Sequence, residues 1–283
     1  TDRSRVTAPL KDLLRHNKTA VASAVIILLL ILAAILAPVL TPYGETQMDL
    51  MNRLSPPSAK HLLGTDEGGR DILTRMLYGS RISLLVGVIP SLLSLMIGAT
   101  LGMLAGFRGG KTDAVIMRIA DIMLAFPSIL LAMVIMYTLG GGLTAVFLTL
   151  TMVTWAETAR IIRAETMRLK ENEYVEAARV IGVTRGRIIL RHILPNCMPT
   201  LMGLFTLNVP TSILTESSLS FLGLGVQPPY ASWGRMINTG RQYLYTAPWL
   251  CFGPGIAILL CVMAFHFLGD GLRDVLDPHL KKR

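Results

Sequence analysis

The sequence predicts an all-α integral membrane protein with six spanning helices and both termini in the cytoplasm. Three observations lead there. Of the 283 residues, 52% are hydrophobic and only 16% charged, against roughly a quarter charged in soluble domains. Six stretches are apolar over the roughly 20 residues that a helix needs to cross hydrocarbon. The cations fall in the gaps between those stretches and crowd onto one side of them.

The first span, residues 19–40, carries no charge from end to end. A basic flank before an apolar run also suits a signal peptide. This run is too long for that and lacks a small-x-small exit, so a retained anchor is expected. Residues 82–107 form the second span, bounded by Arg81 and Arg108. The third, 122–139, starts beside Asp121 and contains Pro127. The fourth, 143–162, is interrupted late by Glu157 and Arg160. Residues 197–224 hold the fifth, with Glu216 embedded, and 248–268 the sixth, with His266 near its end.

With six spans, the N-terminus, the second-to-third connection, the fourth-to-fifth connection and the C-terminus share one side. Those four regions hold 20 of the 27 Lys and Arg residues, among them Arg3, Arg5, Lys11, Arg15 and Lys18 at one end and Arg273, Lys281, Lys282 and Arg283 at the other. The positive-inside rule makes that side cytoplasmic. The net charge of +9 is therefore a topology signal, and no nucleic-acid partner is expected. The expected organisation is a cytoplasmic segment at 1–18, the first span, an extracytoplasmic segment at 41–80, and a membrane domain at 81–283. Residues 140–142 read as a tight turn on the outer side, and 225–247 as a loop. Trp233, Tyr243, Tyr245 and Trp249 suit an interfacial aromatic belt.

Gly98, Gly102 and Gly106 recur every four residues on the second span, a flat stripe against which another helix backbone can pack. "AGFRGGKT", residues 105–112, nearly spells a phosphate-binding loop. Such a loop follows a β-strand and opens a helix, whereas here an apolar helix precedes it, so a glycine turn with interfacial cations is expected. Cys197, Cys251 and Cys261 have no metal-type spacing and read as small core residues. No metal site is expected.

Ionisable groups inside a membrane are costly and often functional. Glu216, with Ser217 and Ser220 following it, fits either pathway lining or an inter-helix hydrogen bond. Asp121 is a further candidate of the same two kinds. It stands three residues after Arg118, as Arg160 stands three after Glu157, so local ion pairs are the simpler expectation.

The polar stretch 163–195 is the least membrane-like part of the interior. Val175, Ala178, Val180 and Ile181, with Tyr174, suit a short helix with one apolar face. Asn172 is a candidate N-cap and Gly182 a candidate C′ residue. Thr184 then starts a second helix through Ile188, Ile189 and Ile193 to Pro195. The expected product is a cytoplasmic helix–turn–helix bracket.

"EAARVIGVTRGRIILRHILP" (176–195) resembles the EAA loop of ABC-importer permeases: EAA, three residues, Gly, nine residues, Ile-x-Leu-Pro. Glu176, Ala177, Ala178, Gly182, Leu194 and Pro195 fall on the pattern, while His192 stands where Ile is usual. "GTDEGGRDILTRMLYGSRISL" (64–84), "ESSLSFLGLGVQPPYASWG" (216–234) and "GDGLRDVLDP" (269–278) resemble signatures of the dipeptide/oligopeptide/nickel permease branch, and of its C-type permease in particular. The resemblance implies a type I ABC importer permease fold in a bacterial or archaeal plasma membrane. It implies that Glu173, Tyr174, Glu176, Ala177, Ala178, Gly182, Val183, Leu194 and Pro195 belong to a coupling element docked on an ATPase. It also implies a homologous B-type permease, two cytoplasmic ATPase subunits and an extracytoplasmic binding protein as partners, besides membrane lipid. ATP and Mg would be bound by those ATPases, with no cofactor and no catalytic residue in this chain. Peptides are the implied cargo, with nickel chelates or glutathione as the alternative. Two other classes fit less well. An intramembrane enzyme needs a nucleophile–base or metal constellation, and a stand-alone carrier often shows internal repeats; neither is visible in the sequence.

Overall fold

The computed structural model describes residues 18–276, whose regular structure is helical apart from one isolated bridge between Thr65 and Asp71. The terminal cations at 3–15 and 281–283, and the end of the 269–278 motif, lie outside the described residues.

Helix α1, Lys18–Leu40, is apolar on all sides and leaves Leu28, Leu29, Ile35 and Val39 exposed. That pattern suits hydrocarbon, where only fully hydrogen-bonded backbone is tolerated. Its one defect is Pro38, which has no N–H for the Ala34 carbonyl. Arg81 repairs it, donating from Nε to Ala34 O at 2.5 Å and from Nη2 to Ile35 O at 3.0 Å.

Helix α2, Ile72–Arg108, starts ten residues before the predicted span, inside the segment expected to be an extracytoplasmic connection. Asp71 caps it, accepting from Thr74 N at 2.8 Å. Its 37 residues extend about 55 Å at 1.5 Å per residue, well beyond a core of about 30 Å.

The predicted continuous third span is not one helix. Helix α3, Gly110–Ala125, and helix α4, Ser128–Leu139, meet at 95°. Phe126 is extended (φ −92°, ψ 142°) because a residue before proline is pushed out of the helical region. Among the described residues, five helical stretches are long and apolar enough to cross a membrane, and six if this bent pair counts as one crossing.

Helix α5, Leu143–Leu169, runs parallel to α2 in the most extensive helix contact of the fold, Gly98, Gly102 and Gly106 meeting Trp155, Ala159 and Arg163 in the same order. It continues seven residues past its predicted end, carrying Arg163 and Arg168 with it. Three short elements follow: α6, Glu173–Val180, then α7, Arg185–Ile188, and a π turn, Ile189–Ile193. Helix α8, Leu194–Phe221, and helix α10, Trp249–Leu276, complete the long helices. The short α9, Trp233–Gly240, lies between them.

One core unites α1, α2, α8, α9 and α10 around Leu84, Val209, Ile213, Trp233 and Phe265. A second joins Val86 of α2 to Met136 of α4, Leu150 of α5 and Leu219 of α8. Trp233 is 1% exposed and donates from Nε1 to Met76 O at 3.2 Å. It is a core residue and not part of an aromatic belt, while Tyr245 is fully exposed.

Candidate functional site

The stretch 163–195 folds as a bracket held by both backbone and side chains. Helix α6 ends in a Schellman turn: Gly182 N donates to Arg179 O and Val183 N to Ala178 O, each at 3.0 Å. Gly182 sits at φ +80°, a left-handed conformation that glycine alone adopts without strain. Asn172 occupies the N-cap position, but its side-chain amide donates to the Tyr174 hydroxyl (3.3 Å) instead of closing the cap.

Val175 and Ala178 are buried against Phe107, Leu169, Ile188 and Ile193, so α6 is clamped between the ends of α2 and α5 and the start of α8. The Arg179 guanidinium lies over the Phe107 ring, 5.1 Å from its centroid. Lys170 Nζ donates to Gly106 O at 3.0 Å, capping the end of α2. Tyr174 and His192 approach to 6.2 Å between ring centroids, and Val183 and Leu194 pack on the edge of the same core.

The other face of the bracket is bare. Glu173, Glu176 and Ala177 are exposed, as are Val180 (81%), Ile181 (79%) and Leu190 (66%). A solvated hairpin has no reason to hold its apolar tip in water.

The second helix does not stop at Pro195, as the sequence suggested. The chain stays helical from Arg185 to Phe221. Pro195 lacks an N–H, and its ring would strike the Arg191 carbonyl in a regular α-helix. The π turn absorbs this: Leu194 N bonds Ile189 O, five residues back, and the widened turn makes room for the ring. The bracket is thus continuous with α8 in the membrane.

The glycine stripe lies against α5. A Cβ on Gly98 would stand 2.7 Å from the Trp155 carbonyl oxygen, and on Gly102 2.5 Å from that of Ala159. On Gly106 it would stand 2.7 Å from the Arg163 carbonyl oxygen. Residues 105–108 are the end of α2 and Gly109–Gly110 the turn into α3, so "AGFRGGKT" follows a helix.

Glu216 is 1% exposed. Its Oε1 accepts from Ser220 Oγ (2.6 Å) and Ser232 Oγ (3.0 Å), and Ser232 in turn caps α9 by accepting from Arg235 N. This geometry ties α8 to the start of α9. Among the described residues Glu216 Oε2 and Ser217 Oγ make no regular hydrogen bond, and both border Gly234.

Asp121 and Arg160 depart from the local pairing expected of each. They pair with one another across α3 and α5 at 2.6 Å, leaving Arg118 and Glu157 without ion pairs among the described residues. The crossing of the helices places their carboxylate and guanidinium closer than either i,i+3 neighbour. Three residues along α5, Arg163 grips Asp113 of α3 at two points, 2.5 and 2.6 Å.

Sequence reading missed the polar core at the start of α2. Asp66 binds Arg70 at 2.7 Å and also Arg75, and His61 Nδ1 stands 3.0 Å from Asp71. The acid–base spacing in "TDEGGRDILTR" was the available signal. Glu45 Oε1 accepts from Ala231 N (3.0 Å), tying this segment to the start of α9. Among the described residues no group of His, Cys, Asp or Glu is placed to hold a metal.

A family model described as "Binding-protein-dependent transport system inner membrane component" matches residues 98–282, and "N-terminal TM domain of oligopeptide transport permease C" matches 12–57. The oligopeptide transport system permease protein OppC of Bacillus subtilis is 44% identical over 268 residues, covering 95% of this chain and 88% of the relative. The dipeptide transport system permease protein DppC of Alkalihalophilus pseudofirmus is 45% identical over 268 residues, with the same coverage of each. Among solved structures, a chain of the MetNI methionine ABC transporter in an inward-facing conformation is similar in fold. Its TM-score is 0.60 at 21% identity, over 72% of this chain and 97% of that one. At such identity along nearly the whole length, the chain belongs to the family of binding-protein-dependent transport system inner membrane components.

Proposed function

We propose that the chain is one transmembrane half of an ATP-binding-cassette importer for di- or oligopeptides, receiving its cargo from an extracytoplasmic binding protein. It crosses the plasma membrane six times, with the bent α3–α4 pair as one crossing and both termini in the cytoplasm. A homologous permease supplies the other half of the pathway. Two cytoplasmic ATPase subunits bind ATP and Mg; what reaches this chain is displacement. The outer segment at 41–80 and the loop around α9 face the binding protein. Peptide cargo rests on the oligopeptide and dipeptide permeases to which the chain is similar.

The observation that carries the reading is the bracket. Its apolar tip at Val180 and Ile181 is held in the open, its root is clamped in a core shared by α2, α5 and α8, and it runs into α8 without a flexible joint. An element of that kind transmits rigid-body movement. Reconstitution tests the reading. Peptide uptake into liposomes should require this chain, its partner permease, the ATPases, the binding protein and ATP together. Uptake driven by this chain alone, without nucleotide, would refute it.

A further inference from the structure

Helices α3 and α5 are joined by two ion pairs of different character. Arg163 and Asp113 meet at two points and are largely covered, with side chains 30% and 19% exposed. Arg160 and Asp121 meet through one nitrogen and one oxygen, and both side chains are 54% exposed. The second Asp121 oxygen and the remaining guanidinium N–H groups have no partner among the described residues. Arg118 and Glu157, one turn from Asp121 and Arg160 on their own helices, are exposed and unpaired as well.

Ile119 and Ile122, which follow Arg118 and Asp121 in sequence, are exposed too. Arg160 is seventeen residues along α5 from Leu143, about 25 Å at 1.5 Å per residue, so a core of about 30 Å beginning at Leu143 would end about one turn beyond it. Charged side chains inside a spanning segment face the interior of an assembly or a water-filled cavity. A well-packed helix interface is not built on four charges of which two lack partners.

We propose that this face lines the aqueous route through the importer, and that Asp121 and Arg160 exchange their mutual contact for the two charged ends of a zwitterionic peptide. The carboxylate receives the α-ammonium, and the guanidinium receives the α-carboxylate, whose geometry its planar fork matches. The resting pair neutralises itself, so an empty route holds no isolated charge. A peptide blocked at one end satisfies only one partner and leaves the other charge bare. This inference rests on the peptide reading above and adds the place and chemistry of recognition.

The test uses the assembled importer in proteoliposomes, with Cys197, Cys251 and Cys261 replaced. Glu157→Cys should react with a membrane-impermeant cationic methanethiosulfonate in at least one nucleotide state, whereas Leu29→Cys on the outer face of α1 should not. This arm needs no knowledge of the cargo. In the second arm, alanyl-alanine competes for uptake with its N-acetylated and C-amidated forms. Wild type should prefer the free peptide by about tenfold or more, the scale of one lost charge-assisted hydrogen bond. Asp121→Asn should lose the preference for a free amine alone, and Arg160→Gln that for a free carboxylate alone. The double exchange D121R/R160D should restore assembly without restoring the preference.

An unreactive Glu157→Cys in every nucleotide state, or wild-type preference in the double exchange, would overturn the inference while leaving the importer reading standing. A wild-type complex that carries no peptide would overturn both.

Discussion

The Val183 amide donates to the Ala178 carbonyl at 3.0 Å, turning the chain sharply where the bracket leaves α6. That bond lets Ala178 stay buried in the core while Val180 and Ile181, only two and three residues on, stand almost fully in the open. The turn thus separates a face that grips this chain from a tip free to grip another.

From that separation follows an expectation for the tip. Replacing Ile181 by Asp removes apolar surface from the contact without touching the core. ATPase subunits should bind the permeases at least about tenfold more weakly, about 1.4 kcal/mol, with the variant's own thermal stability unchanged. Pull-down of the ATPases and differential scanning of the isolated permease pair check the two halves.

Arg81 and Pro38 form a compensating set. Arg81→Ala leaves the Ala34 carbonyl without a donor, and an unsatisfied buried acceptor costs about 1–3 kcal/mol. Pro38→Leu returns an N–H at the position that carbonyl needs. The single variant should melt earlier in detergent, and the double variant should recover most of the loss.

The stripe glycines differ from glycines in open space. Gly102→Ala puts a Cβ 2.5 Å from the Ala159 carbonyl oxygen and should destabilise by about 1–3 kcal/mol, the usual cost of overpacking. Gly203 on α8 has nothing within 4 Å of a Cβ, so Gly203→Ala should be neutral or slightly stabilising. Side-by-side thermal melts distinguish steric cost from helix propensity.

Glu216 holds α9 through Ser232. Glu216→Gln keeps the accepting oxygen and should preserve the contact. Glu216→Leu strands two buried hydroxyls and should loosen residues 227–240, read as faster amide exchange across α9 than in wild type.

These residues also show what was legible in the sequence. Membrane crossings announce themselves because hydrocarbon demands about 20 apolar residues in a row, and every predicted span contains helix. Their ends were less legible. Asp71 and Arg75 start α2 ten residues early through contacts with Thr74 and Asp66, a local polar network that the apolar-run criterion does not register. Pro127 was visible, but whether a proline kinks or breaks a helix depends on what surrounds it. Pro195 misled in the opposite sense, read as a stop where a π turn carries the helix through. The bracket was legible because its turn is local: Gly182 and the alternation of buried and bare residues belong to one short stretch. The Asp121–Arg160 pair was not, since its residues lie 39 apart and each has a nearer oppositely charged neighbour in sequence.

The central claim is that the bracket passes work from the ATPases into the membrane helices, and Gly182→Trp tests it most directly. Nothing lies within 4 Å of a Cβ at Gly182, so the new side chain leaves the backbone into open space. It strains the left-handed turn by about 1–2 kcal/mol and obstructs the docking face. The measurement is peptide uptake per ATP hydrolysed in proteoliposomes holding the fully assembled complex. The account predicts normal assembly with continued ATP hydrolysis and little uptake; a wild-type ratio in the assembled Gly182→Trp complex would contradict it.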